Sequence, residues 1–155
     1  HPKGGGLLAA LRERIDSIIS LTSTENHQKQ RKRRVMVIAL WIVQILLAVA
    51  FAFFGYPKVF QPIEALAAML PWATEVPALL VRFIGVAEIA GALGLVLPGL
   101  TKVQPKLMGW AAVGLCLLMI FAAIFHTTRG EFGNIAFNAV LFVLAAFVAW
   151  GRLRR

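Results

Sequence analysis

Four apolar runs dominate the chain: Val35 to Phe54, Ala78 to Leu97, Leu107 to Phe125 and Asn134 to Trp150. Each approaches or reaches the length of about 20 residues that an α-helix needs to cross the hydrocarbon core of a bilayer. None carries the polar stripe, recurring every third or fourth residue, that marks a helix on the surface of a soluble bundle. None alternates apolar and polar positions over about ten residues as the strands of a membrane barrel do. The pattern predicts an all-α, polytopic membrane protein: an antiparallel four-helix transmembrane bundle with spans at about residues 35–54, 78–97, 107–125 and 134–150.

The connections are unequal. Gly55 to Pro77 is the longest, with Pro57, Pro62, Pro71 and Pro77 as breakers around a short helix-like stretch, Ile63 to Leu70. It is expected to lie along one membrane surface and cap the bundle, with Trp72 in the interfacial aromatic belt. Pro98 to Pro105 and Thr127 to Gly133 are short, so the helices that they join should pack antiparallel. Residues 1–34 differ in kind. Leu7, Leu8, Leu11, Ile15, Ile18 and Ile19 fall on one helical face, as in an amphipathic helix lying on a membrane surface, with a loosely ordered tail as the equal alternative. The chain begins at His1, as a processed chain or a fragment would, and Met36 is a candidate start for a shorter version in which the first 35 residues are dispensable.

Composition agrees with the pattern: 59% of the 155 residues are hydrophobic and 15% charged, far on the apolar side of ordinary globular domains. The net charge of +9 would raise the question of nucleic acid in a soluble protein. Its placement points to lipid instead. Of 16 Lys and Arg, eight precede Met36, five of them within Lys29 to Arg34, and Arg152, Arg154 and Arg155 end the chain. Such clusters anchor spans and meet anionic headgroups. With Lys29 to Arg34 in the cytoplasm, Lys102, Lys106 and the terminal arginines fall on the same side, and the opposite connections carry only Lys58 and Arg129. Both termini, and the basic extension 1–34, are therefore expected in the cytoplasm, with residues 35–155 as the membrane domain of a bacterial-type inner membrane. The single cysteine, Cys116, lies mid-span and reads as a packing residue, since one thiol forms neither an internal disulfide nor a CxxC pair.

The chemistry is confined to polar residues inside the apolar runs. Arg82 and Glu88 share the second, at roughly 6 and 15 Å from the outer end by helical rise. They lie about 120° apart on the wheel and about 9 Å apart along the axis, so each is expected to pair with another helix rather than with the other. Gln44, near the midplane of the first helix, is the expected partner of Glu88; Asn138, His126 or Glu75 is that of Arg82. Charges in a span are expensive unless hidden from lipid, and they often mark function. A polar cavity opening outward would hold a quinone headgroup, a proton pathway or a small polar substrate. The bland reading is interhelical hydrogen bonding, with Gly85, Gly91 and Gly94 permitting close helix packing and His126 simply solvated. His1, His27 and His126 are too dispersed for a metal site, and no phosphate loop or nucleophile elbow occurs.

Several of these residues carry a resemblance. Gly55-Tyr56-Pro57-Lys58 after the first run, Arg82 to Glu88 followed by Gly91-Ala92-Leu93-Gly94-Leu95 and Pro98 in the second, His126 ending the third and Asn138 in the fourth resemble the DoxX-like family of small four-helix membrane proteins, from Met36 to the end. The family is similar to the membrane subunit of thiosulfate:quinone oxidoreductase, to membrane proteins of redox stress and to factors that support maturation of other membrane proteins. The resemblance implies Lys58, Arg82, Glu88, His126 and Asn138 as the functional positions. Three functions follow as expectations: a redox-associated subunit with a quinone or proton site, beside a redox partner protein or a second copy; a non-catalytic assembly or chaperone-like factor; and, with less support, a small transporter. Any enzymatic role would be that of the membrane subunit of a quinone-linked oxidoreductase.

Overall fold

The structure, a computed structural model, describes residues 5–154. Its helices are α1 (Gly5–Phe60), α2 (Ile63–Leu66), α3 (Ala78–Thr101), α4 (Lys106–Thr128) and α5 (Phe132–Leu153), with one 3-10 turn at Pro71–Thr74 between α2 and α3. Four of these, α1, α3, α4 and α5, are long and apolar enough to cross a membrane. No strand occurs among the described residues. The chain divides into two compact units, His1–Ala39 and Leu40–Arg155.

In the first unit every described side chain from Gly6 to Val35 is exposed, including the apolar face of Leu7, Leu11, Ile15 and Ile18. The stretch is helical and falls within the bounds of α1. Thr22 to Arg34 contains neither Gly nor Pro, so nothing local stops the helix there.

In the second unit the helices form a ring, and each neighbouring pair meets at a glycine. Gly55 of α1 approaches Gly85 of α3, and Gly91 of α3 takes Leu115 of α4. Gly109 of α4 takes Leu153 of α5, and Gly151 of α5 takes Leu40 of α1. Small residues let helix axes approach closely where no hydrophobic effect drives association. The buried centre combines Leu47 and Phe51, Ala92 and Leu95, Leu115 and Met119, and Leu141 and Val148, one pair per helix. The outer faces leave Ile45, Phe53, Val86, Leu117 and Val143 exposed, as contact with lipid chains requires.

The helices overrun their expected ends. α1 continues through Gly55 and Pro57 to Phe60, so Lys58 belongs to the helix and not to a loop. α3 passes Pro98 and ends at Lys102, which adopts the left-handed cap conformation with φ of 56°. Both prolines fall near a C-terminus, where forfeiting one backbone bond does not stop the helix. The helix-like stretch after Pro62 is shorter than expected, four residues and then the 3-10 turn. That connection buries Leu66, Trp72 and Ala73 against Val81 in a second small core. Trp72 is thus not an interfacial anchor: its ring packs edge-to-face on Phe125, with centroids 5.7 Å apart. Cys116 is half-buried, its Sγ 3.9 Å from the Phe142 carbonyl across the α4–α5 contact.

Candidate functional site

The site begins with the close approach of α1 to α3. A Cβ placed on Gly85 would fall 2.7 Å from the Cβ of Lys58 and 2.9 Å from the Gly55 carbonyl oxygen, so only glycine allows this contact. The Cβ of a helical residue leans toward the helix N-terminus, which sends the Lys58 side chain back down into the bundle. Its Nζ lies 2.6 and 2.8 Å from the two carboxylate oxygens of Glu88, with the side chains only 7% and 6% exposed. Arg82, about one and two-thirds turns before Glu88, donates from Nη1 to the Lys58 carbonyl at 2.7 Å. That carbonyl is among the last four of α1, which lack intrahelical donors, so Arg82 caps the C-terminus of α1.

The expected pairings are therefore corrected. Glu88 takes Lys58 instead of Gln44, because α1 extends far enough to bring a lysine over α3. Arg82 takes a backbone carbonyl, not Asn138, His126 or Glu75. Gln44 is fully buried in a different place: its Nε2 donates to the Leu95 carbonyl and to Met108 Sδ, and its Oε1 accepts from Arg152 Nε at 2.7 Å. Arg152 also lies over the Trp41 ring, 5.2 Å from its centroid.

A cavity of about 460 Å³ opens beside the ion pair. Lys58, Glu88, His126 and Asn138 line it, joined by Asn134; Gln44 and Arg82 do not. Most of the remaining wall is apolar and aromatic, from Phe51, Phe54, Phe83, Phe125 and Phe137, with Trp72 contributed by the long connection. Asn138 is buried, and its Nδ2 has no hydrogen-bond partner among the described residues.

The end of the cavity formed by the connections is tied by a charged network. His126 is buried, not solvated, and its Nδ1 lies 2.5 Å from Glu131 Oε2. Glu131 also accepts from Arg129 Nε at 2.8 Å and from Asn134 Nδ2 at 3.0 Å. Arg129 in turn is bidentate on Glu75, which fastens the α4–α5 turn to the α1–α3 connection. The hydrogen bonds from Arg129 and then His126 hold the Glu131 carboxyl down at about 2. Its own hydrogen bonds to Glu75 and Glu131 push the Arg129 guanidinium further up, so it stays charged. Sequence reading missed Glu131, Asn134 and the inward role of Trp72. The five-residue spacing of His126 and Glu131 is intelligible only once Gly130, at φ of 69°, turns the chain back.

The three packing glycines divide by face. Gly85 serves α1, while Gly91 and Gly94 face Leu115 and Ala111 of α4.

Four antiparallel spans around a buried ion pair and an apolar chamber define a multi-pass, all-helical membrane protein. The family model described as the DoxX-like family matches residues 42–148, which reaches into all four spans and includes every candidate residue; the chain belongs to the DoxX-like family. No curated protein and no solved structure matches it.

Proposed function

We propose that this protein is a redox-associated membrane subunit whose chamber holds a quinone headgroup. The observation that carries the reading is the buried Lys58–Glu88 pair in the wall of an otherwise apolar, aromatic cavity. Its volume falls in the range of about 300–1,000 Å³ typical of small-molecule sites, which combine apolar walls with a few placed polar groups. The residues fit a flat, uncharged ring bearing carbonyl oxygens. Lys58 keeps one N–H beyond the two directed at Glu88, and the Nδ2 of Asn138 is an unused donor. A bound quinone would supply two-electron, two-proton chemistry between this subunit and a partner. The chain's own part is to bind and orient the ring, to exclude water with Trp72 and the phenylalanines, and to hold protons at Lys58 Nζ and His126.

On the positive-inside argument the network of Glu75, Arg129 and Glu131 faces outward and both termini face the cytoplasm, in a bacterial-type inner membrane. A redox protein or a second copy of the chain would complete the electron path.

Purified protein in nanodiscs should bind a quinone analogue saturably. Glu88→Gln should weaken binding, but it also strands a buried ammonium, which destabilises by about 3–5 kcal/mol. The double variant Lys58→Met/Glu88→Leu removes both charges and should recover most of the thermal stability without recovering binding. Undiminished binding by the double variant would overturn the reading. The reading as a non-catalytic assembly factor, favoured by Arg82 capping α1, expects no saturable binding by wild type and recovery of a stoichiometric partner from detergent.

A further inference from the structure

A second hollow lies on the outer face between α3 and α4, with a volume of about 440 Å³. Its floor is made of small residues, Ala87, Ala90 and Gly91 of α3 with Ala111 and Gly114 of α4. The two hollows share Phe83, Leu118 and Phe121 as common walls. Phe83 and Phe121 are 66% and 68% exposed, so the rings at this junction stand on the lipid-facing surface rather than in the core. From Phe83 to Gly91 the groove follows eight residues of α3, about 12 Å by helical rise. It carries no charged residue.

Two features at opposite ends ask for one occupant. In the chamber, Asn138 is 7% exposed and its Nδ2 lacks a partner, although burying an unsatisfied donor is costly and rare in native structures. In the groove, Gly114 is exposed, and a Cβ added to it would meet nothing within 4 Å, so this glycine makes no helix contact of the kind that Gly91 makes with Leu115. We infer that the two hollows are one site for a long-tailed quinone: the tail lies in the α3–α4 groove, the ring enters between Phe83 and Phe121, and one carbonyl oxygen accepts from Asn138 Nδ2. The inference rests on the quinone reading above and adds the route from lipid, the seat of the tail and the residue that anchors the ring. Entry from the side suits a ligand that resides in the bilayer, since it need not cross water. The groove makes tail length, and not only ring chemistry, a determinant of affinity.

The test compares a decyl-tailed quinone with the same ring lacking a tail, by titration calorimetry of protein in nanodiscs with partition into empty discs subtracted. Wild type is expected to prefer the tailed compound by at least about tenfold, since a tail seated on Ala87, Ala90 and Gly91 gains close van der Waals packing that fluid lipid chains do not supply. Gly114→Phe should fill the groove and bring the two affinities to within about twofold, while Gly114→Ala keeps the wild-type ratio. Asn138→Leu should weaken both compounds about tenfold, the loss of a hydrogen bond to a buried carbonyl, yet raise the melting temperature of the ligand-free protein by removing the unsatisfied donor. A preference that survives Gly114→Phe overturns the groove, and unchanged binding by Asn138→Leu overturns the anchor, while saturable binding to wild type leaves the quinone reading intact in both cases. No binding of either compound by wild type removes the quinone reading and this inference together.

Discussion

Glu131 shows how much a single carboxylate outside the spans organises. Its three hydrogen bonds, from Arg129, His126 and Asn134, join the end of α4 to the start of α5. Its pKa lies at about 2 in the folded protein against an ordinary value of 4.5. A carboxyl whose folded pKa is depressed stabilises fully above its unfolded pKa, and that contribution is lost as pH falls through the folded one. The melting temperature of the detergent-solubilised protein should therefore drop between about pH 4.5 and pH 2, and Glu131→Gln should be less stable at neutral pH with a flatter profile across that window. Identical slopes for the two proteins would mean that the network holds nothing. Individual residues were legible in the sequence where the signal is a polar group in an apolar run, as for Glu88 and Asn138. They were not where it depends on a turn, as for Glu131; Lys58 was marked by the family resemblance, but its pairing was not, since that depends on which way a flexible side chain points.

At the scale of elements, the decisive fact is that α1 does not stop at Phe54. Gly55 reads as the start of a connection and Pro57 as a breaker in isolation, but Gly55 is consumed by the contact with Gly85, and Pro57 lies in the last turns, where few carbonyls still expect an intrahelical donor. Extending α1 by six residues moves Lys58 from a surface loop to the wall of the chamber. The contact is sensitive to one methyl group. Gly85→Ala would drive a Cβ against the Lys58 Cβ and the Gly55 carbonyl, and overpacking of this kind destabilises by about 1–3 kcal/mol. Gly133→Ala in α5 is the control: its Cβ meets nothing within 4 Å, and alanine favours a helix by roughly 0.5–1 kcal/mol over glycine. Thermal unfolding in detergent should thus order the proteins Gly133→Ala, wild type, Gly85→Ala, from most to least stable. Equal stability of Gly85→Ala and wild type would show that α1 and α3 can separate freely.

For the whole molecule, hydropathy alone revealed four spans, because span length and composition are local properties of the chain. Which face meets which neighbour was not legible, since ring order depends on all four helices together; Gln44 and Glu88 both look central on their own helices and yet belong to different polar groups. Orientation rests on charge. Reporter fusions after residue 75 or 130 should read as external and a fusion after residue 103 as cytoplasmic, and the reverse pattern would place the chamber on the inner side. The Lys58–Glu88 pairing bears on what that chamber admits. One ammonium and one carboxylate cancel, so this part of the interior is already electroneutral, and an ionic guest would bring an uncompensated charge into a medium where that penalty amounts to several kcal/mol. Charge balance, more than shape, then acts as the filter, and the chamber favours uncharged guests over ions of either sign.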